Sequence, residues 1–437
     1  MRAADPTTGG AAAGSVARSA DADVIVVGAG PAGSTAAAYL ARAGLDVLLL
    51  DKSTFPRAKV CGDGLTPRAV KQLIDLGIDM SEAAGWRHNK GLRAVAGGVS
   101  MDLPWPMLAS FPDFGAVRPR QDFDELLVRH AEKQGARLRE ATTVTAAIEE
   151  NGVVVGVEGH EGPDRRPFTR RAPLTLSCDG VSARVALSLG MVKDDRRPLG
   201  VAVRRYYTSP RTDDDFLETH LEVWDRRDPK APKLLPGYGW IFGMGDGTSN
   251  VGLGILATGR TNGTGDYRGL LTHWLAAQPE EWGFREENAV GTIGGAGLPM
   301  GFNRTPHARP GMLLVGDAGG MVNPLNGEGI AYAMESASIA AQCAIQGLAR
   351  SGASREAALA AYPRRMSEAL GHYYRLGNAA ARLIGNPAVM RVATRHGLPR
   401  PTVMRFLLKL LANLYDPKEG ELSDRVLTAL TRLTPAV

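Results

Sequence analysis

The sequence predicts a mixed α/β fold, with strand–turn–helix patterns towards both ends of the chain and mostly strands between them. A strand, a glycine-rich turn and a helix follow one another at residues 24–43. A second strand that ends in Gly-Asp lies far along the chain, at residues 312–317. Residues 198–255 carry repeated turn signals and alternating patterns, which are typical of β-sheet. These patterns predict one α/β domain drawn from both ends of the chain and a β-rich domain inserted in it.

Composition excludes several functional classes. Of the 437 residues, 44% are hydrophobic and 22% are charged, which suits a large core. The net charge of +5 comes from 51 basic and 46 acidic side chains, an excess too diffuse for a nucleic-acid-binding protein. Three widely spaced cysteines predict reduced thiols and no metal site. No apolar run reaches the roughly 18 residues of a spanning helix, and residues 1–22 are expected to form a disordered tail rather than a signal peptide.

The first strand, turn and helix form the most specific pattern. A β-branched strand spans Val24–Val27, an alanine-rich helix spans Ser34–Ala43, and the next strand ends at Asp51. In a G-x-G-x-x-G turn the glycines permit a tight turn, the approach of a pyrophosphate and close helix–strand packing. A carboxylate after the second strand accepts hydrogen bonds from a ribose. The alternative is a glycine-rich turn with a structural role only. The pattern predicts instead that a dinucleotide is bound by Gly28, Ala29, Gly30, Pro31, Ala32 and Gly33.

The remaining elements complete the α/β pattern. Helices are predicted over residues 68–76, 120–134 and 328–348, strands over 142–157, 174–178 and 312–315, and mostly helix beyond 355. We therefore expect a discontinuous nucleotide-binding domain at residues 23–197 and 301–350, with some insertions from the second domain, a β-rich substrate domain at 198–300, and a helical C-terminal region at 351–437.

The turn at residues 316–330 indicates which dinucleotide is bound. A nicotinamide dehydrogenase would usually continue its sheet through adjacent βαβ units. Here Asp317 is suited to ribityl hydroxyls or to the pyrophosphate edge, and Gly329-Ile330 opens a helix whose N-terminus would stabilise a reduced, anionic flavin. The alternative is an ordinary Asx-turn that caps a helix. Together with residues 28–51, this turn predicts FAD.

Six segments, in the same order, resemble the geranylgeranyl reductase family, which belongs to the flavoproteins with the para-hydroxybenzoate hydroxylase fold. They span residues 23 to about 345, and two of them, at 61–69 and 315–330, are most similar to actinobacterial menaquinone reductases, which hydrogenate one isoprene unit of the menaquinone tail. The segments are VVGAGPAGS (26–34), CGDGLTPRA (61–69), RQDFD (120–124), CDGVSARV (178–185), GYGWIF (237–242) and VGDAGGMVNPLNGEGI (315–330).

The resemblance implies a Rossmann-like FAD-binding domain and a set of cofactor contacts. Residues 28–33 and Asp51 would bind the ADP part of FAD, and Arg120 would contact its phosphates or adenosine. Asp179 belongs to an Asp-Gly element with structural and cofactor-supporting roles. The loop beside the isoalloxazine would be Cys61, Gly62, Asp63 and Gly64, and the ribityl and ring end would be held by Asp317, Gly329 and Ile330.

The resemblance also implies the reaction and the partners. The reaction would be FAD-dependent saturation of an isoprenoid C=C bond, in the menaquinone tail or in a geranylgeranyl group. The partners would be a polyprenyl lipid and an electron donor, which the sequence leaves open between NAD(P)H, a ferredoxin and another carrier. A lipid substrate implies a cytoplasmic protein with peripheral contact to the inner face of the plasma membrane.

Cys61 is the candidate catalytic residue. Next to glycines, in a loop expected to face the flavin, its thiol is placed to donate a proton to a reacting alkene carbon. An ordered water is the other candidate donor. The alternative for a lone cysteine is a small buried hydrophobic residue.

The segment at residues 237–244 predicts a substrate wall. In a strand, Tyr238, Trp240, Phe242 and Met244 point to one face, while glycines leave the opposite face thin. Such a wall suits a long apolar ligand, although a sheet packed on the core would show the same pattern. The family often has Phe-Pro where this chain has Phe242-Gly243, which leaves the shape of the pocket open.

The C-terminal segment 401–416 predicts an amphipathic helix. Its apolar positions follow helical spacing, with Arg405 and Lys409 on other faces. A helix packed on the core and an interfacial helix at a membrane both explain the pattern. The apolar positions are Val403, Phe406, Leu407, Leu410, Leu411 and Leu414.

Two rival functions stay open at this point. A flavin-dependent monooxygenase or halogenase of the same fold is the first, although a halogenase would show a Trp-x-Trp-x-Ile-Pro-like segment and residues 238–242 lack its proline. The second is a flavin-containing binding or redox-sensing protein without turnover.

Overall fold

A computed structural model describes residues 20–257, 265–384, 386–416 and 420–433. The expected N-terminal tail therefore lies almost wholly outside the described residues. The strands are β1 (Val24–Val27), β2 (Val47–Leu50), β3 (Gly64–Leu65), β4 (Arg87–Asn89), β5 (Gly91–Ala96), β6 (Val99–Pro104), β7 (Gly115–Val117), β8 (Arg137–Arg139), β9 (Thr142–Glu150), β10 (Val153–Glu161), β11 (Arg166–Arg171), β12 (Leu174–Ser177), β13 (Leu199–Thr208), β14 (Phe216–His220), β15 (Val223–Asp225), β16 (Lys233–Leu235), β17 (Gly237–Gly243), β18 (Thr248–Leu256), β19 (Ala289–Pro299), β20 (Ala308–Arg309) and β21 (Met312–Leu314).

The helices follow the predicted pattern, although α2 (Pro67–Leu76) begins one residue before and α6 (Ile330–Leu348) two residues after the expected position. Helix α1 begins at Pro31, three residues before the expected Ser34, because the fixed φ and missing N–H of proline suit the first helical position. The helices are α1 (Pro31–Arg42), α2 (Pro67–Leu76), α3 (Arg120–Lys133), α4 (Arg184–Ser188), α5 (Tyr267–Ala276), α6 (Ile330–Leu348), α7 (Gly352–Met366), α8 (His372–Ile384), α9 (Pro387–Gly397), α10 (Pro401–Leu411) and α11 (Leu422–Leu433).

A six-stranded sheet carries the nucleotide-binding pattern. Its order is β20-β21-β12-β1-β2-β8, and all neighbours pair in parallel except β20 with β21. Val24 and Val26 pack towards α1, α3 and α6, while Ile25 and Val27 pack towards α4 and the three-stranded sheet β11-β10-β9. Both faces of β1 are therefore buried, which explains its unbroken β-branched sequence.

A second, seven-stranded sheet has the strand order β19-β13-β18-β17-β14-β5-β6. Most of these strands come from residues 198–300, as the alternating patterns predict. Strands β5 and β6, however, come from residues 91–104, and β14 pairs with β5 in parallel. These two strands are an insertion from the first part of the chain. Helix α5 covers one face of the sheet with Leu270 and Trp274.

The C-terminal helices α7–α11 pack around both sheets. Helix α10 buries Met404 and Leu408 in a cluster with Leu103 and Leu217, so the alternative of a core-packed helix holds for this face. The buried face of α10 is rotated relative to the predicted apolar face, because Val403, expected on that face, is 39% exposed. Lys409 is buried against Asp424 of α11, with Nζ–Oδ1 at 3.0 Å. Among the described residues, no helix combines the length and the apolar character that a bilayer-spanning segment requires.

Candidate active site

The two glycine-rich turns, which lie almost 300 residues apart in sequence, meet in the fold. Strands β1 and β21 both flank β12, so their carboxyl ends point to the same edge of the sheet. A Cβ atom placed on Gly316 would lie 3.0 Å from Cβ of Ala32 and 3.3 Å from Cβ of Ala333. The turn after β1 and the turn before α6 are therefore in contact and enclose a common site.

The turn between β1 and α1 has the geometry of a phosphate cradle. Gly28 has φ +95°, and a Cβ there would lie 2.5 Å from the Cys178 carbonyl oxygen. A Cβ on Gly33 would overlap the Gly28 carbonyl oxygen. Gly30 differs, because its Cβ would meet only Arg57 Nη2, at 3.5 Å. The N-terminus of α1 has no side-chain cap, and uncapped N–H groups at the start of a helix suit the diphosphate of a dinucleotide.

Asp51 ties this turn to the end of β2. Its Oδ2 accepts a hydrogen bond from the Ala29 N–H (2.8 Å) and its Oδ1 from the Ser53 N–H (2.8 Å). Arg57, which the sequence reasoning missed, lies 3.8 Å from Asp51 and donates to Asp124 at 3.0 Å. Its buried Nε has no partner among the described residues. An unsatisfied guanidinium nitrogen beside the cradle fits an anionic ligand.

Arg120 is engaged by protein atoms. Its Nε and Nη2 form a bidentate pair with Asp124, at 2.7 and 2.8 Å. The Arg120 guanidinium also interacts with the Cys61 thiol and lowers the pKa of that thiol. The structure thus brings Arg120 to the loop at residues 61–64, whereas its expected contact with the FAD phosphates remains a prediction.

The loop at residues 61–64 is fixed by the seven-stranded sheet. Asp63 has φ +64°, a strained value for a residue other than glycine. Its carboxylate is buried and accepts hydrogen bonds from the Tyr206 hydroxyl, from Asn250 Nδ2 (2.7 Å) and from the Arg120 N–H (3.3 Å). Burial raises the pKa of Asp63 to about 6, and the Tyr206 and Asn250 hydrogen bonds oppose that rise. The Asp63 side chain therefore points into the sheet, while its carbonyl oxygen accepts a hydrogen bond from the Arg118 N–H at 3.3 Å.

Cys61 is half-buried at the start of this loop. Burial raises the pKa of its thiol, while Arg120 and the Asp63 N–H, which donates to Sγ at 3.4 Å, lower it. The net rise keeps the thiol protonated at neutral pH. The cation and the N–H group nevertheless lie where they would stabilise a thiolate.

The predicted aromatic wall exists and faces this loop. The ring centroids of Tyr238 and Trp240 are 6.2 Å apart, and those of Trp240 and Phe242 are 6.3 Å apart. A Cβ on Gly62 would lie 3.2 Å from the Phe242 ring and 3.4 Å from Trp240 Nε1. The wall and the loop are thus in van der Waals contact, and glycine at position 62 permits it.

The opposite face of β17 packs on the core, so the alternative of a core-packed sheet holds for that face. A Cβ on Gly239 would lie 2.5 Å from Cζ2 of Trp274 in α5. The face that the sequence predicts to be thin is therefore thin because α5 packs closely against it. Met244, expected in the wall, is buried in the cluster that contains Met404 and Leu408.

The turn before α6 closes the other side of the site. Tyr238 donates its hydroxyl hydrogen to the Asn326 carbonyl at 2.6 Å, which ties the wall to this turn. A Cβ on Gly329 would lie 3.5 Å from Asp317 Oδ1. Burial raises the pKa of Asp317, and Lys59, a residue the sequence reasoning missed, lowers it. No side chain caps the N-terminus of α6 at Gly329-Ile330, so its N–H groups are free for an electron-rich ring edge.

Glu328, which was not among the predicted site residues, is a half-buried acid. Thr66 Oγ1 donates to its Oε1 at 2.7 Å, which joins the turn before α6 to the start of α2. Burial raises its pKa to about 7. Asp179 has a different role: it accepts hydrogen bonds from the Ser177 hydroxyl (2.7 Å) and from the Val185 N–H (3.2 Å), and it fixes the start of α4.

Comparison with known proteins agrees with this architecture. Residues 21–213 match the family model described as FAD binding domain. The chain is 36% identical over 406 residues to a menaquinone reductase of Mycolicibacterium smegmatis, covering 93% of this chain and 95% of the relative. It is 40% identical over 322 residues to a menaquinone reductase of Mycobacterium tuberculosis (74% and 76% covered). A digeranylgeranylglycerophospholipid reductase of Methanopyrus kandleri is 32% identical over 346 residues (75% and 81%).

Solved structures show the same fold. A geranylgeranyl bacteriochlorophyll reductase-like protein from Thermoplasma acidophilum superposes with a TM-score of 0.70 at 22% identity, covering 89% of this chain and 99% of that one. A flavin-dependent brominase superposes equally well, with a TM-score of 0.70 at 18% identity over 94% and 98%. Identities this low establish the fold alone. The matches to the three reductases, which cover 76–95% of their lengths at 32–40% identity, establish more: the chain is an FAD-dependent oxidoreductase that belongs to the geranylgeranyl and menaquinone reductase family.

Proposed function

We propose that this protein saturates one C=C bond of a polyprenyl lipid, and that the lipid is the isoprenoid tail of menaquinone. The relatives at 36% and 40% identity, both named menaquinone reductases, support this substrate over a geranylgeranyl group. The observation that carries the proposal is the aromatic wall of Tyr238, Trp240 and Phe242 against the Cys61 loop. The rings of Tyr238 and Phe242 are partly exposed and Trp240 is buried between them, so the two outer rings offer an apolar surface beside the cofactor turns that fits a long hydrocarbon chain.

The residues around the site fit FAD. The turn at 28–33 and the N-terminus of α1 would hold the diphosphate, and Asp51 the ribose. Asp317 and the N-terminus of α6 would hold the ribityl chain and the ring. When bound and reduced, FAD supplies the hydride for the reaction.

Cys61 is the proposed proton donor. Its S–H bond breaks as the proton passes to one alkene carbon, the π bond opens, and the other carbon receives the hydride. Arg120 and the Asp63 N–H then stabilise the thiolate until solvent returns a proton. An isolated alkene is poorly electrophilic, so the wall contributes mainly by orienting the chain and excluding water.

The reaction is tested with the dithionite-reduced enzyme under anaerobic conditions. With menaquinone we expect reoxidation of the flavin and, after the quinone ring has been reoxidised in air, a product that is still two mass units heavier because its tail is saturated. With geranylgeranyl diphosphate we expect a slower reaction. A faster reaction with geranylgeranyl diphosphate than with menaquinone would indicate that the substrate is a geranylgeranyl compound. Product formation that consumes oxygen would instead indicate a monooxygenase, and absence of turnover with both prenyl compounds would contradict the proposal.

The role of Cys61 is tested by Cys61→Ala with Cys343→Ala as the matched control. Loss of a general acid typically slows a reaction by about 10²–10⁴-fold, so saturation of the menaquinone tail should slow by that factor in Cys61→Ala while bound FAD is retained. Cys343 is buried in α6, away from the loop, and its replacement should leave the rate unchanged. Wild-type turnover in Cys61→Ala would leave an ordered water as the donor.

The electron donor is proposed to be NAD(P)H or a ferredoxin, bound only transiently, because the sequence has no second nucleotide-binding fingerprint. Anaerobic mixing of the oxidised enzyme with NADH, NADPH or reduced ferredoxin separates these donors. The physiological class should bleach the flavin absorbance within the turnover time. A donor that reduces the flavin more slowly than turnover is excluded.

Peripheral contact with the inner face of the plasma membrane is also proposed. Residues 369–415 contain seven Lys or Arg residues and no Asp or Glu. The same region exposes apolar side chains, with Leu383 59% and Val392 61% exposed. Basic charge and exposed apolar groups together fit the surface of a bilayer that contains anionic lipid.

Flotation with lipid vesicles tests this contact without any substrate. The protein should float with phosphatidylcholine vesicles that contain phosphatidylglycerol and much less with phosphatidylcholine alone. Val392→Asp should weaken flotation, whereas Ile74→Asp, at an exposed position on α2, should not. Equal flotation of all three proteins, or a Val392-dependent dimer in solution, would assign the exposed face to something other than the membrane.

A further inference from the structure

One buried carboxamide joins the substrate wall to the cofactor loop. Asn250 lies in β18, the strand next to β17, and is fully buried. Its Oδ1 accepts a hydrogen bond from Trp240 Nε1 at 3.0 Å. Its Nδ2 donates to the Cys61 carbonyl at 2.9 Å and to Asp63 Oδ2 at 2.7 Å. One amide group thus joins Asn250 to Cys61 and Asp63, which lie 189 and 187 positions earlier in the sequence.

The chemistry of the partners fixes the orientation of this amide. An indole N–H can only donate, whereas a carbonyl and a carboxylate can only accept. A flipped amide would set its NH₂ group against the indole N–H and its oxygen against two acceptors. In this buried setting the loss of three hydrogen bonds would be costly, so Asn250 has a single stable orientation and Trp240 a fixed position relative to Cys61.

The loop needs such a clamp because its backbone is strained. Asp63 adopts φ +64° without being glycine, and such conformations persist only where the surrounding contacts hold them. Asn250 and Tyr206, from neighbouring strands β18 and β13, supply two of these contacts. Cys61 lies two residues before the strained position, so the placement of its thiol depends on the same clamp.

We propose that Asn250 is a positioning residue that sets the Cys61 thiol in register with the Trp240 wall, so that a prenyl chain on the wall lies at the proton donor. The inference rests on the proposed reductase function. Asn250 itself contacts neither the substrate nor the cofactor in this scheme. Its effect passes through Cys61, Asp63 and Trp240.

Two substitutions with different charge test the proposal. Asn250→Ala removes all three hydrogen bonds, and a misplacement of this kind should lower kcat by about 10²-fold with little change in KM or FAD content. Asn250→Asp places a second carboxyl against Asp63. Two adjacent carboxyls cannot both ionise readily, so the pair should take up a proton above the pKa of about 6 that Asp63 has beside Asn250. This variant should therefore recover rate as the pH is lowered and the shared proton restores one hydrogen bond. A merely structural role would not produce such a pH profile.

A readout that needs no turnover separates this inference from the reductase function. Alkylation of Cys61 by iodoacetamide, followed by peptide mass spectrometry, reports how firmly the loop is held. The rate should rise several-fold in Asn250→Ala and stay unchanged in Ser249→Ala, a buried neighbour whose hydroxyl has no partner among the described residues. Tyr206→Phe, which removes one bond to Asp63, should give an intermediate rate and serves if Asn250→Ala does not fold.

The outcomes that overturn the inference are specific. Wild-type alkylation in both Asn250→Ala and Tyr206→Phe would show that the loop holds its place without the clamp. Faster alkylation with unchanged kcat and pH profile would show that the clamp has no role in turnover. If Cys61 is alkylated faster in Asn250→Ala but the wild-type protein reduces no prenyl lipid, the clamp is supported and the proposed reductase function is contradicted.

Discussion

At the scale of single residues, three glycines of one turn face different surroundings. Gly33 touches the backbone of Gly28, whose own Cα faces the Cys178 carbonyl, whereas Gly30 faces almost open space beside Arg57. Gly33 therefore serves the packing of α1 on the turn after β1, and Gly28 serves the packing of that turn on the end of β12. Gly30 leaves room for a ligand. Although all three belong to one sequence motif, their substitution should have different consequences.

Gly33→Ala and Gly30→Ala form a matched pair. In Gly33→Ala the new methyl group overlaps the Gly28 carbonyl, and overpacking of this kind costs roughly 1–3 kcal/mol of unfolding free energy. Gly30→Ala should retain the stability of the apoprotein and lose FAD affinity by tenfold or more. Chemical denaturation of the apoproteins and FAD titration measure the two effects. Equal stability losses in both variants would refute this division of roles.

At the scale of an element, β17 has two faces with different roles. One face carries the three aromatic rings towards the cofactor loop, and the other bears glycine where Trp274 of α5 approaches. Because side chains alternate along a strand, a substitution at a glycine of this strand acts on the core and not on the pocket. The neighbouring strand β18 contributes Gly254, which faces the Tyr238 ring.

Gly239→Ala should destabilise the protein, with Gly254→Ala as its control. A Cβ at position 239 would lie 2.5 Å from the Trp274 ring, so α5 must shift, at a cost of roughly 1–3 kcal/mol. At position 254 the nearest atoms of Tyr238 lie 3.5 Å away, an ordinary contact, and stability should change by less than about 0.5 kcal/mol. Thermal unfolding followed by circular dichroism measures both. Comparable melting temperatures for the two variants would contradict the close packing of α5.

At the scale of the whole molecule, the segment 300–307 connects the seven-stranded sheet to the six-stranded sheet. His307 lies in this connection, fully buried, where its Nε2 is 3.1 Å from the Gly319 carbonyl and its ring stands edge-on to Phe302. Burial lowers the pKa of His307 to about 4. In the unfolded chain a histidine titrates near pH 6.5, so the folded state binds its proton less readily.

This difference predicts loss of stability in acid. Between about pH 6.5 and pH 4 the unfolded state takes up a proton that folded His307 does not, so unfolding becomes easier as the pH falls through this window. The effect is on the order of 3 kcal/mol at most. His307→Gln, which keeps a donor for the Gly319 carbonyl, should flatten this part of the stability curve. Denaturant unfolding at pH 7, 5.5 and 4.5 checks it. An unchanged slope in the variant would assign the acid sensitivity to other groups.

The two cofactor turns and the aromatic wall were predictable because each is a local pattern. The spacing of Gly28, Gly30 and Gly33 and the alternation at residues 238–242 follow from single elements. The clamp at Asn250 was not predictable, because it depends on β18 lying between β13 and β17 and meeting a loop almost 190 residues earlier. Lys59 and Arg57 likewise belong to no sequence motif whose spacing would mark them as site residues. The face of α10 was rotated because α11 covers Lys409, a tertiary contact that helical periodicity does not contain.

The order of residues along the chain has a consequence for biosynthesis. The turn that would bind the adenylate is translated almost 300 residues before the turn that would bind the isoalloxazine ring. Until the second turn has been made, the nascent chain has only part of the binding site. Flavin uptake must therefore wait for both turns, and a ligand that binds only the finished fold stabilises it by mass action. A cell short of riboflavin should accordingly accumulate less of this protein, even with its messenger RNA unchanged.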